Sequence, residues 1–352
     1  MKDPLIHSGV CIVLDAMGGD CAPDVNIDGA LLALNDDPEL SIQLVGDRAL
    51  LLKKFSAKRI VESNRLKILH AEEVITMEDH ASQGMRKKKK SSIHVGLQQL
   101  KEGKADAFIS AGNSGAVMTV SILVLGRLDG VERPAILIKL PSAKKFVILL
   151  DAGANVDCKP THLFQFAEMG RLYAELVENR IHPTIGLLSN GSEESKGNEL
   201  TRATHELLKS AKTPNYKGYI EGFDIFQGNT DIVICDGFVG NVVLKLSEGI
   251  AETAFDWFKI ELQKNKVMAL IGLTFLKGIL RSFKHKFDYK PYGSAPLLGI
   301  NGVVFISHGG SNAAAIRNGI LTAKKGVQSQ FLSKMGTQLA KKHPSIKKEE
   351  LA

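Results

Sequence analysis

The amino-acid sequence predicts an α/β protein built on a mostly parallel sheet. Six short apolar segments, rich in β-branched residues, each end in a turn of small or acidic residues that leads into a helical pattern. The chain has 352 residues and is 44% hydrophobic, which is enough for a large core. Its 33 glycines and its low aromatic content of 6% suit an enzyme with many strand–turn–helix junctions. We therefore expect helices on both faces of one sheet.

The first 125 residues alternate strands with helices. Apolar segments rich in Val, Ile and Leu predict the strands, and apolar residues three or four positions apart predict the helices. The strands are residues 10–14, 41–45, 66–69 and 105–109, and the helices are residues 25–35, 48–55, 93–100 and a segment ending at residue 125. Glycine turns follow the first and fourth strands, and each precedes a helix, whose N-terminus stabilises anions.

The middle of the chain begins with a predicted β-hairpin, because two apolar arms flank Pro141-Ser142-Ala143. Further strands and helices then alternate as before. The hairpin arms are residues 135–140 and 145–150, the later strands are residues 184–188, 231–235 and 303–307, and the helices are residues 161–178, 199–208, 242–250 and 313–332. In a mostly parallel sheet, the turns after these strands and after the first and fourth strands all lie at the carboxyl edge, where α/β proteins bind their ligands.

Residues 250–289 interrupt this alternation. The segment is helical in pattern, and lysines are interspersed among its large apolar side chains. Its apolar run, residues 267–276, is shorter than the roughly 20 residues that span a bilayer. We expect a protruding helical hairpin that forms a dimer interface, lies on an anionic membrane surface, or does both. The predicted contact residues are Trp257, Phe258, Leu270, Leu273, Phe275 and Leu276.

The net charge, the cysteine spacing and the N-terminal sequence limit the partners, metal sites and compartment that we expect for this protein. A formal charge of +7 fits nucleic acid, anionic lipid, an acidic protein or a phosphorylated ligand equally well. The four cysteines show no metal-ligand spacing, so we assign no metal site, and they suit a reducing compartment. The N-terminus lacks the apolar segment of a signal peptide, which favours a cytoplasmic protein. We expect one domain over residues 1–340, followed by a charged tail, residues 341–352.

Several common enzyme classes lack their motifs here. The sequence contains no GxxxxGK[ST] motif, and no GxGxxG follows the first strand, which disfavours a dinucleotide dehydrogenase. The segment His308-Gly309-Gly310-Ser311 has no GxSxG partner, so a catalytic serine is not expected. The basic run of residues 86–90 has two equally weighted interpretations, a solvated loop or a contact to an acidic partner or anion.

The turns together resemble one family. Residues 15–20 (DAMGGD), 111–115 (AGNSG), 151–155 (DAGAN), 236–241 (DGFVGN) and 292–299 (YGSAPLLG), followed by His308-Gly309, are similar to the PlsX family. These proteins are acyl-acyl-carrier-protein:phosphate acyltransferases of bacterial phospholipid synthesis. The resemblance covers residues 10–323. It departs from the family pattern at Cys21, Ser114 and Ser294, and at Tyr219 and Phe223, which we leave out of the catalytic set.

The resemblance implies a Rossmann-like three-layer α/β/α sandwich of the isocitrate dehydrogenase and phosphotransacetylase type, acting as a homodimer. It implies that inorganic phosphate attacks the thioester of a fatty acyl carrier protein, giving acyl phosphate and free carrier. A membrane glycerol-3-phosphate acyltransferase would use the product. The implied protein is cytoplasmic and peripherally associated with an anionic membrane. No cofactor and no nucleic-acid partner are expected.

Such a reaction needs a phosphate site and donors to a polarised carbonyl. We assign Lys196 as the cation for phosphate and Asn241, with Asn113, as donors to the phosphate or the developing oxyanion. His308 would donate a hydrogen bond or a proton to the leaving thiolate. The other residues predicted to bind phosphate or substrate are Asp15, Gly18, Gly19, Gly112, Ser114, Gly115, Asp151, Asn155, Asp236 and Gly240. The alternatives are a phosphotransacetylase-like enzyme for short acyl-coenzyme A and a non-catalytic membrane-surface scaffold.

Overall fold

The computed structural model describes residues 9–79, 87–264, 278 and 294–342. Within them, eleven strands form one sheet. In chain order the strands are β1 Val10–Asp15, β2 Leu40–Gly46, β3 Leu66–His70, β4 Ala107–Ser110, β5 Ala135–Leu140, β6 Val147–Leu150, β7 Ile185–Leu188, β8 Tyr216–Ile220, β9 Ile232–Ile234, β10 Ser294–Leu298 and β11 Val303–Ser307. Across the sheet the order is β3-β2-β1-β4-β11-β10-β5-β6-β9-β7-β8.

Helices cover both faces of this sheet. They are α1 Asp24–Asp36, α2 Arg48–Lys58, α3 Ser92–Lys101, α4 Ser114–Leu125, α5 Pro160–Leu176, α6 Glu199–Ser210, α7 Gly222–Gln227, α8 Gly237–Lys264, α9 Ala313–Gln328 and α10 Phe331–Lys342. Strand β1 shows the layering, because its successive side chains point to opposite faces. Ile12 packs in one apolar cluster with Ile27 of α1, and Val13 packs in another with Leu97 of α3. The core therefore lies in two layers, one on each side of the sheet.

The sheet reverses direction near its centre. Three successive neighbouring pairs, β11–β10, β10–β5 and β5–β6, are antiparallel, whereas the other seven pairs are parallel. The hairpin predicted at residues 135–150 is the β5–β6 pair and is confirmed. As a result β6, β7, β8 and β9 run opposite to β1, β2, β3, β4 and β11.

The reversal corrects the prediction that all six glycine-rich turns meet at one edge of the sheet. The first turn cluster, residues 15–20, 110–115 and 308–312, follows β1, β4 and β11. The second turn cluster, residues 151–155, 189–198 and 236–241, follows β6, β7 and β9 at the opposite edge. Strand β10 runs between the two edges, since Ser294 pairs with Ser307 and Leu298 pairs with Ala135. Its five residues separate the two edges by roughly 13 Å.

Other differences from the predicted elements are local. Strands β8 and β10 and the short helix α7 were not predicted. The predicted last helix is two helices, which are separated at Gln330, where φ is 55°. Helix α8 begins five residues earlier than predicted and continues to Lys264. Trp257 and Phe258 are exposed on it. Leu270, Leu273, Phe275 and Leu276 lie outside the described residues, as do residues 292–293 and most of the predicted tail.

Candidate active site

The buried carboxylate of Asp15 organises the first turn cluster. It accepts hydrogen bonds from the Ser110 hydroxyl (2.7 Å) and from the Met17 amide (3.0 Å). Burial raises the pKa of Asp15, although these hydrogen bonds act to lower it. A β-carbon on Gly18 would lie 2.5 Å from the Gly112 amide nitrogen, so the turns after β1 and β4 touch through their backbones. Asp15 and Gly18 are therefore buried residues that hold the turns of this cluster together.

Both polar atoms of the Asn113 side chain form hydrogen bonds within the protein. Its Oδ1 accepts from the Ala116 amide at 3.0 Å and caps α4, as expected for asparagine at this position. Its Nδ2 donates to the carbonyl oxygen of Asp79 at 3.0 Å. Ser114 is exposed and Gly115 is half-buried at the start of α4. Gly19 is half-buried with φ +102°, a conformation that favours glycine.

His308 lies in the first turn cluster, at the carboxyl end of β11. Its ring is exposed, and Nδ1 accepts a hydrogen bond from the Gly310 amide at 3.1 Å. A neutral ring therefore carries its proton on Nε2, which is available as a donor. The Asp20 amide donates to the Gly309 carbonyl at 3.0 Å and joins the turns after β1 and β11. His308 thus follows a strand that ends at the opposite edge of the sheet from the strands before Lys196 and Asn241.

In the second turn cluster, Asp151 has the organising role that Asp15 has in the first. Its buried carboxylate accepts from the amides of Ile136 (3.0 Å), Ala154 (3.1 Å) and Asn155 (2.7 Å). Burial raises the pKa of Asp151, while these bonds and one from the Asn155 side chain oppose the shift. Asn155 also donates from Nδ2 to the carbonyl oxygen of Pro134 at 2.7 Å. These contacts fasten the turn after β6 to the start of β5.

The start of α8 packs on this turn. Asp236 caps the helix by accepting from the Val239 amide at 2.9 Å, and the Gly237 amide donates to the Asn155 carbonyl at 2.7 Å. A β-carbon on Gly240 would lie 1.8 Å from the carbonyl oxygen of Asp151. Gly240 is therefore needed for close packing, and Asp236 is needed as a helix cap. Both residues hold α8 in place beside the site.

Two of the predicted catalytic residues, Lys196 and Asn241, face solvent in this cluster. Lys196 lies in the loop after β7, and Asn241 lies in the first turn of α8, which follows β9; β7 and β9 are neighbouring parallel strands. Lys196 Nζ lies 3.9 Å from a carboxylate oxygen of the exposed Glu193. Asn241 is exposed and packs over Gly153, where a β-carbon would lie 3.7 Å from Asn241 Oδ1. A cation and an amide donor thus follow neighbouring strands at the same edge of the sheet, and both are groups that stabilise an oxyanion.

Some residues of the two clusters were not predicted from the sequence. Ser110 completes the Asp15 network, and its only signal was a small polar residue at a strand end. Cys158 and Cys235 direct their thiols to the carbonyl oxygens of Asn155 and Asp151, at 3.6 Å and 3.7 Å. Nothing in the spacing of the cysteines indicated this contact.

The basic run is partly neutralised within the chain. Lys88 forms an ion pair with Asp79 at 2.5 Å, and Lys90 forms one with Glu72 at 2.8 Å. Arg86 lies outside the described residues. Over the described part of the chain, no group of three or more His, Cys, Asp or Glu residues is suited to a metal ion. None of the helices in that same part combines the length and apolar character needed to cross a membrane.

Solved structures support the fold. A phosphotransacetylase from Streptococcus pyogenes superposes with a TM-score of 0.58 over 92% of this chain and 95% of its own, at 15% sequence identity. The EutD phosphotransacetylase from Staphylococcus aureus gives a TM-score of 0.53 over 93% and 96%, also at 15% identity. The predicted fold class, a three-layer α/β sandwich of the phosphotransacetylase type, is confirmed. At this level of identity the likeness concerns the fold alone.

Sequence comparison gives the family. A phosphate acyltransferase of Geobacter sulfurreducens is 49% identical over 331 residues, covering 93% of this chain and 94% of the relative. A phosphate acyltransferase of Syntrophotalea carbinolica is 46% identical over 344 residues, covering 97% of each chain. A family model described as "Fatty acid synthesis protein" matches residues 10–334. The chain therefore belongs to this fatty acid synthesis protein family, as the resemblance of its turns predicted.

Proposed function

We propose that the protein transfers a fatty acyl group from acyl carrier protein to inorganic phosphate. The observation that carries this proposal is that Lys196 and Asn241 follow two neighbouring parallel strands, β7 and β9, at the same edge of the sheet. Relatives named phosphate acyltransferase, which match more than nine-tenths of the chain, support the reaction class. Acyl phosphate would then enter phospholipid synthesis.

In the proposed step, Lys196 holds the phosphate and Asn241 Nδ2 donates to the thioester oxygen as it gains negative charge. A phosphate oxygen attacks the carbonyl carbon, and the carbon–sulfur bond breaks. The proton of the monohydrogen phosphate passes to the leaving thiolate, so the products are acyl phosphate and carrier thiol. Phosphate is already a competent nucleophile, so positioning and charge stabilisation supply most of the rate gain.

The other residues of the second turn cluster support these two. Asp151 and Asn155 hold the turn on which Gly153 supports Asn241, and Asp236 and Gly240 hold the start of α8. His308 is not assigned to this step, because it lies at the other edge of the sheet. The same separation leaves Gly18, Gly19, Gly112, Asn113, Ser114 and Gly115 outside the proposed phosphate site of a single protomer.

We propose four partners beyond phosphate. They are acyl carrier protein, a second copy of the chain, an anionic membrane surface and a membrane glycerol-3-phosphate acyltransferase. The exposed Trp257 and Phe258 on α8 support a contact with the second copy or with lipid. The net charge of +7 supports attraction to acidic carrier protein and to anionic lipid. With these partners, we propose that the protein acts in the cytoplasm at the membrane surface.

The reaction is tested by incubating purified protein with palmitoyl acyl carrier protein and phosphate, and trapping acyl phosphate as its hydroxamate. Phosphate-dependent hydroxamate is the expected result. Product from acetyl-coenzyme A but not from the carrier substrate would favour a phosphotransacetylase-like activity instead. Absence of product from either substrate, with liposome binding retained, would favour a non-catalytic scaffold.

A further inference from the structure

Helix α8 exposes a row of large apolar side chains. Phe238, Val242, Leu246 and Ile250 are 61%, 50%, 60% and 61% exposed, and they recur every fourth residue. This spacing places them on one slowly turning face of the helix. The opposite face packs on the body of the protein, where Val243 contacts a buried apolar cluster. The row therefore points away from the core, and folding of the described residues leaves it in water.

The row begins at the candidate active site. Phe238 and Asn241 lie within one turn of α8, so the first apolar side chain is next to the proposed oxyanion donor. Val156, which is also exposed, follows Asn155, and the Asn155 carbonyl accepts from the Gly237 amide at 2.7 Å. Val156 thus extends the row to the turn after β6. An apolar surface that starts at a reacting carbonyl and leads outward suits a substrate with a long hydrocarbon chain.

The length of the row also fits such a chain. Twelve residues separate Phe238 from Ile250, which corresponds to roughly 18 Å along a helix. One leaflet of a bilayer has a hydrocarbon depth of roughly 15 Å, and long acyl chains fill that depth. A short acyl group attached to a carbonyl at Asn241 would end near Phe238 and Val242. A long one would reach Leu246 and Ile250.

We propose that this acyl stripe, formed by Val156, Phe238, Val242, Leu246 and Ile250, binds the hydrocarbon chain of the fatty acyl substrate. The inference rests on the proposed acyl transfer and adds the residues that set chain-length preference. Each methylene group of the acyl chain that contacts the stripe leaves water on one side only. We therefore expect it to strengthen binding by roughly twofold, which is less than full burial would give. The stripe therefore favours long over short acyl groups until the chain passes Ile250.

The test replaces Leu246 or Ile250 with glutamine and measures phosphate-dependent hydroxamate from palmitoyl and butyryl acyl carrier protein. The expected result is that the ratio of the two kcat/KM values, palmitoyl over butyryl, falls about tenfold in each variant. The matched control is Ile181→Gln, since Ile181 is an exposed isoleucine in the loop before β7. This control is expected to keep the wild-type ratio.

Three outcomes would overturn the proposal. An unchanged ratio in both variants shows that the acyl chain binds elsewhere. An equal loss of kcat/KM with both substrates, together with a halved molar mass in light scattering, shows that the stripe contacts a second copy of the chain. Loss of liposome binding with an unchanged ratio assigns it to the membrane. If the wild-type protein gives hydroxamate from neither substrate, the proposed acyl transfer itself is wrong, and the acyl stripe then has no proposed ligand.

Discussion

The carbonyl oxygen of Asp151 occupies the space that a side chain on Gly240 would need. A β-carbon at Gly240 would lie 1.8 Å from that oxygen, far inside van der Waals contact. Helix α8 therefore approaches the end of β6 as closely as two backbones allow. This contact fixes the position of Asn241, the next residue on the helix.

Replacing Gly240 with alanine should destabilise the protein by about 2 kcal/mol, because α8 must move away from β6. The matched control is Gly249→Ala on the same helix, where a β-carbon would meet no atom within 4 Å. The control should stabilise the protein by about 0.5–1 kcal/mol through helix propensity. Urea unfolding measures both effects. Equal stability of the two variants would contradict the close contact.

Replacing Asn241 with alanine should lower kcat by about 10²-fold, as loss of one oxyanion donor does in other enzymes. Because the side chain is exposed, the midpoint of thermal unfolding should stay within about 1 °C of wild type. The hydroxamate assay measures the rate. A fully active variant would remove Asn241 from the proposed step.

Replacing Lys196 with alanine should mainly raise the KM for phosphate, about tenfold or more, because a cation is lost from the anion site. The control is Lys209→Ala on α6, an exposed lysine already paired with Glu194 at 3.1 Å. A phosphate titration at saturating carrier substrate separates KM from kcat. Identical phosphate curves for the two lysine variants would assign Lys196 to the solvated surface.

Cys158 should react slowly with iodoacetamide at pH 8. Burial, together with the charges of Asp151 and Asp236, raises the pKa of Cys158 to about 12. The thiolate fraction at pH 8 is then about 10⁻⁴, against about 10⁻¹ at the ordinary value of 9.0. Alkylation should therefore be about 10³-fold slower in native than in urea-unfolded protein, as followed by peptide mass spectrometry. Comparable rates in both states would contradict the buried contact.

Lys139 and Glu178 form a buried ion pair, with Lys139 Nζ 2.6 Å from a Glu178 oxygen. Burial lowers the pKa of Lys139, although the Glu178 charge opposes the shift. Lys139→Met should cost about 3 kcal/mol, because it leaves a buried carboxylate with a more distant cation, Lys325. The double variant Lys139→Met, Glu178→Leu should recover most of this loss in urea unfolding. Losses that add in the double variant would contradict the pairing.

Most strands and helices could be predicted from the sequence, because apolar periodicity is a local signal. Strand β10 escaped prediction because Pro296 lies within it and proline weakens a strand pattern. Strand β8 escaped because Lys217 and Gly218 interrupt its apolar residues. The direction of the strands depends on which strands become neighbours, and pairing between distant segments leaves no local pattern. The two turn clusters were therefore merged into one site in the prediction.

The site residues show the same difference between local sequence signals and tertiary contacts. Local sequence correctly indicated turns in front of helices. In the structure, Asn113 and Asp236 cap two of these helices. It could not show that the carboxylate of Asp151 would turn inward to the start of β5, because Ile136 and Asn155 meet it only through tertiary packing. The roles of Lys196 and Asn241 stay predictions.

Strand β11 has a consequence for synthesis on the ribosome. It lies between β4 and β10 in the sheet. The helix that follows it, α9, packs closely on α1, because a β-carbon on Gly29 of α1 would lie 2.6 Å from the side chain of Ile316. The N-terminal half of the sheet is thus completed by segments that are translated well after β4. Until they emerge, the nascent chain presents β4 as an open edge with unpaired backbone groups, a template for association with other strands. This edge is therefore a place where a chaperone would protect the nascent chain.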